Sequence, residues 1–88
     1  MLARLDEEIH KAEDAQRRHL AAAARAEDQG MQWQFMQNEK QEAKRAFQRA
    51  DENRLAAQKL QPQIDALKQR RAEWLQKHPE IDASKKPT

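Results

Sequence analysis

The stretch QGMQWQFMQ, Gln29 to Gln37, holds the only glycine of the chain, Gly30, and then places Met31, Trp33, Phe35 and Met36 within a few residues. Nowhere else are large apolar side chains so dense. A glycine at the end of a helix-forming run takes positive φ without strain, so Gly30 reads as the point where a first helix stops and the chain turns. Met31, Trp33 and Phe35 alternate with Gln32 and Gln34 as in a strand. Nothing else in the chain offers a pairing partner, so helix is the better reading.

Upstream, Leu2, Leu5, Ile9, Ala12, Ala23 and Ala26 recur in steps of three and four, with Gln16 and His19 in the same stripe. Such a heptad pattern buries one narrow seam, and predicts a helix over about 2–28. Glu7 with Lys11, Glu13 with Arg17 and Asp14 with Arg18 stand four apart in the favourable order. Downstream, Ala43, Ala46, Ala50, Asn53, Ala57, Leu60, Ile64, Leu67, Arg71 and Trp74 continue one register straight through Pro62. Proline lacks the amide hydrogen that a helix interior uses, so Pro62 predicts a break: helix two at about 32–60, helix three at about 62–78. The alternative is one long helix kinked there. His78-Pro79 ends the last helix, because the residue before proline is pushed out of the α region, and 79–88 reads as a flexible tail.

The expected fold is all-α: an antiparallel helical hairpin, coiled-coil-like, with a shorter third helix, in one domain spanning 1–78. With the turn at Gly30, facing residue numbers sum to about 60. Leu2, Leu5 and Ile9 then meet Leu55 and Leu60 at the open end, with Ile64, Leu67, Trp74 and Leu75 packing onto them. Alanines fill the middle. The chain of 88 residues has 16 alanines but 17 Leu, Ile, Met, Phe and Trp in total. That is little apolar area for an isolated globule, so a dimeric helical bundle is expected.

Composition also narrows the chemistry. Without cysteine there is no disulfide, thiol nucleophile or thiolate metal site. The hydroxyl nucleophiles, Ser84 and Thr88, fall in the tail, and no glycine-rich loop is present to cradle phosphate. No apolar run reaches membrane-spanning length, and the N-terminal stretch resembles neither a secretory signal nor a transit peptide. The expectation is a cytoplasmic protein without enzymatic activity, cofactor, metal or small-molecule substrate. Glu7-x-x-His10 has the spacing of carboxylate-bridged metal bundles, but both residues flank the seam and read as a solvated face. His19 lies in the seam and reads as a polar residue that specifies register.

Function is sought at the turn. On an ideal helix Met31 and Phe35 share one side and Trp33 and Met36 the other, while a hairpin buries one stripe, so one pair faces outward. Trp and Phe give contact area with few rotamers to lose, and Met adapts to irregular surfaces. The expected role is a protein-protein interaction module, an adaptor, assembly factor or inhibitor, docking through Met31, Trp33, Phe35 and Met36. The competing reading is nucleic-acid binding through Lys40, Lys44, Arg45, Arg49 and Arg54, in a chain of pI near 9.2. Those residues do not share one face, and Glu42 with Arg45 and Asp51 with Arg54 are spaced for ion pairs instead.

Overall fold

A computed structural model describes residues 1–36 and 38–78. Secondary structure among them is entirely helical: α1 (Leu2–Met31), a π-helical turn (Gln32–Met36) and α2 (Lys40–Lys77). The expected tail, 79–88, lies outside the described residues. The 38 residues of α2, at 1.5 Å rise each, span roughly 57 Å. They account for the long axis of a rod measuring 62 × 24 × 14 Å. Its thinnest dimension is little more than one helix diameter.

α1 and α2 lie side by side, running in opposite directions. Asp6 meets Arg71 with Nε–Oδ1 at 2.6 Å, and the Gln16 side chain donates to that of Gln61 at 2.8 Å. Gly30 lies under the ring of Phe47. Each of these three pairs sums to 77. The register is therefore displaced from the expected sum near 60, because the chain reverses near residue 38 and not at Gly30. α1 runs on to Met31, the π turn follows, and α2 starts at Lys40. Leu2, Leu5 and Ile9 are buried, but they face the far end of α2. Leu5 shares a cleft with Arg70 and Trp74, and Ile9 shares one with Ala72 and Leu75. Leu55, expected in this core, is 51% exposed on the outer side of α2, and Leu60 is half-buried. Ile64 is fully enclosed, while Leu67 and Trp74 are half-buried.

The other half of the seam is alanine. Ala23, Ala26 and Ala50 form one cluster, and Ala43, Ala46 and Ala57 are also buried. Small side chains let helix axes approach closely. Between the aliphatic and alanine halves lies a polar layer. Gln16 donates to the Ala57 carbonyl at 3.1 Å, and His19 Nδ1 lies 3.1 Å from Asn53 Oδ1. Asn53 Nδ2 donates to the Arg49 carbonyl, so its oxygen accepts and His19 Nδ1 must carry the hydrogen.

The break expected at Pro62 is absent; the separate helices at about 32–60 and 62–78 are one element. Proline leaves the Gln58 carbonyl without its helical donor, but Gln58 and Pro62 are both exposed, so water can reach that carbonyl. Ile64, two residues on, is held against α1 and keeps the helix in line. The helix stops at Lys77, with His78 at φ −130°, ψ 62°, as its position before proline requires. Pro62→Ala restores one hydrogen bond and removes a ring clash. It should stabilise the fold by about 1–3 kcal/mol, read as a rise in the thermal midpoint of the helical circular-dichroism signal. A fall would show that the seam requires the proline.

Candidate partner-docking surface

The turn is built by three backbone features. Gly30 is inside α1 and buried, and its φ is not positive. It is glycine because Phe47 of α2 lies on it. A Cβ there would come 2.8 Å from Phe47 Cε1, closer than carbon atoms pack. The helix then widens into the π turn, and the Glu39 amide donates to the Trp33 carbonyl at 2.7 Å. The left-handed position that the sequence reading gave to Gly30 falls on Asn38, at φ 55°. Asparagine tolerates that region better than other side-chain-bearing residues.

These features settle where the four apolar residues go. Met31 is 45% exposed, Phe35 76% and Met36 81%, whereas Trp33 is half-buried. The expected split, one pair in and one pair out, does not occur. α2 runs opposite these residues, but the π turn changes the angle per residue on which the expected pairing rested, so Met31 and Phe35 no longer share a side that the seam could cover. Next to them lies an open cleft of about 500 Å³, lined by Gln34, Ala43, Phe47 and Gln48, with Lys40, Lys44 and Asp51 also on its walls. A volume of this order holds a few side chains of a partner. Phe47 and Ala43 stand outside the 29–37 stretch. Packing on Gly30 makes Phe47 a floor of this cleft.

The basic residues of α2 divide. Arg45 is paired with Glu42 at 3.3 Å, and Arg54 bridges Glu27 and Asp51, the latter at 3.1 Å. Lys40, Lys44 and Arg49 make no ion pair among the described residues. Of the i,i+4 pairs expected on α1, Glu7–Lys11 forms at 3.4 Å. Arg17 turns instead to Asp14, and Glu13 reaches across to Lys68 at 3.3 Å. His10 is exposed, as is Glu7. No described helix is long and apolar enough to cross a membrane.

Comparison with protein-family models, with curated proteins and with solved structures finds no match.

The Gly30–Phe47 contact can be tested by a mutant cycle. Gly30→Ala gains about 1 kcal/mol of helix propensity but overpacks against the ring, a loss of about 1–3 kcal/mol. The single variant should melt lower than wild type. In a Phe47→Ala background the same change should melt higher, and this reversal of sign is the outcome that denaturation curves must show.

Proposed function

We propose that the protein is a non-enzymatic interaction module, an adaptor, assembly factor or inhibitor, whose helical hairpin docks a larger protein partner through its tip. The observation that supports this reading is the exposure of Phe35 and Met36, at 76% and 81%, beside the cleft floored by Phe47. Aromatic and methionine side chains held on a turn, next to a concave apolar site, are the ingredients of an interface hot spot. In this reading the chain works in the cytoplasm as a homodimer with coiled-coil-like contacts, and it needs no cofactor. The dimer follows from a narrow seam and a thin apolar supply.

Nucleic-acid binding remains the second reading. It is carried by Lys40, Lys44 and Arg49, the helix-two basic residues of that set left without ion-pair partners among the described residues. The ion pairs of Arg45 and Arg54 weaken it, since phosphate contact would have to displace carboxylates.

The deciding comparison is affinity capture from source-cell lysate, with and without nuclease, using wild type and a Phe35→Ser, Met36→Ser variant. Both side chains are exposed, so the variant should keep the helical signal of wild type. A discrete protein should be retained after nuclease and lost, by tenfold or more, in the variant. Capture that disappears with nuclease and survives in the variant would favour the basic residues of α2.

A further inference from the structure

Along one edge of the helix pair, α1 and α2 present residues seven apart. On α2 these are Lys40, Phe47, Arg54, Gln61, Lys68 and Leu75; on α1 they are Asp6, Glu13, Leu20 and Glu27, and Gln34 of the π turn is next in the series. They meet as rungs. Gln34 and Phe47 share the tip cleft, Leu20 and Gln61 share a second of about 320 Å³, and Asp6 and Leu75 share a third of about 580 Å³. Between the clefts stand the ion pairs Glu27–Arg54 and Glu13–Lys68. One face of the rod thus alternates apolar hollow and charged rung over most of its length, and Leu20 stands on it 49% exposed. The outer side of α2, around Leu55, has no such series: its neighbours Glu52 and Lys59 are polar and exposed.

We infer that a second copy of this chain covers this face, related by a two-fold axis running along the rod. The inference rests on the homodimer proposed above and names its surface and its axis. Surface area points to a copy of the chain itself. The chain exposes 7002 Å², where a compact monomer of 10.3 kDa exposes roughly 5400 Å². Removed from each of two chains, that excess would amount to roughly 3200 Å² in total, within the range of obligate homodimer interfaces. A rod 14 Å thick becomes a two-layer, four-helix bundle when doubled on this face.

Charge chooses the axis. The α1 edge is acidic at both ion-pair rungs and the α2 edge basic. A two-fold axis across the rod would lay α1 on α1 and α2 on α2, opposing like charges. An axis along the rod lays each α1 on the partner's α2 at the same height. Glu27 and Arg54 then close a ring of alternating sign with the partner's Glu27 and the partner's Arg54, and Glu13 with Lys68 does the same. Both turns come to one end, so the docking tips stand side by side.

Two measurements test this. In sedimentation equilibrium, wild type should be dimeric at micromolar concentration, Leu20→Glu should weaken the dimer at least tenfold while keeping its helical signal, and Leu55→Glu should leave it unchanged. The chain has no cysteine, so Gln32→Cys accepts a single spin label at the tip. Distances between labels should fall below half of the 62 Å rod length. A monomeric wild type would overturn the dimer and the face together. A dimer that survives Leu20→Glu but falls to Leu55→Glu would overturn the face, and labels a rod length apart would overturn the axis. Phe35→Ser with Met36→Ser should stay dimeric, which separates this inference from the fate of the docking tip.

Discussion

The ring of Phe47 rests on the backbone of Gly30, and that contact sets the register of the two helices. A side chain at position 30 would displace the ring from its seat, at the point where the seam is otherwise built of alanine. With the ring seated, Ala23, Ala26 and Ala50 close into a cluster. Further along, Gln16 and His19 meet Ala57, Gln61 and Asn53. At the far end Ile9 reaches Ala72 and Leu75. A slip of even one heptad would separate every one of these pairs. Polar partners in the middle make such a slip costly, because His19 and Asn53 would lose their hydrogen bond in a part-buried site.

Helical class and the two seam stripes were legible in the sequence, because alanine, leucine and charged residues at alternating three and four spacing have one economical structure. The register was not. It depended on reading Gly30 as a helix end, whereas glycine has a second use, close approach of a neighbour, that spacing alone does not distinguish. Asn38 is of a type that tolerates the left-handed region, but asparagine also serves in turns and caps, so its identity alone does not place the reversal. Pro62 misled for a related reason. Its local penalty is real, yet an exposed position and a buried Ile64 two residues later outweigh it. The exposure of Phe35 and Met36 was only half legible, since a π turn changes the angle per residue on which the expected pairing rested.

The charged residues do two kinds of work. Those three or four apart on one helix, such as Arg45 with Glu42, are solvent-exposed and contribute little each. Those that cross between helices are Asp6–Arg71 and Glu27–Arg54, each more than half covered, and Glu13–Lys68, whose lysine is more exposed; together they fix which edges of α1 and α2 adjoin. They divide the surface of the rod into compartments.

Pro62 has a consequence for motion as well as for stability. With no amide at 62 and no helical donor for the Gln58 carbonyl, the hydrogen-bond ladder of α2 is already severed once in the ground state. Residues beyond it hold the aliphatic end of the seam, against Leu2, Leu5 and Ile9. Loss of that end therefore has a natural stopping point, and the two halves of α2 can exchange their amide hydrogens as separate units. Opening that begins at the end away from the turn is expected to stop at Pro62 and to leave the tip in place.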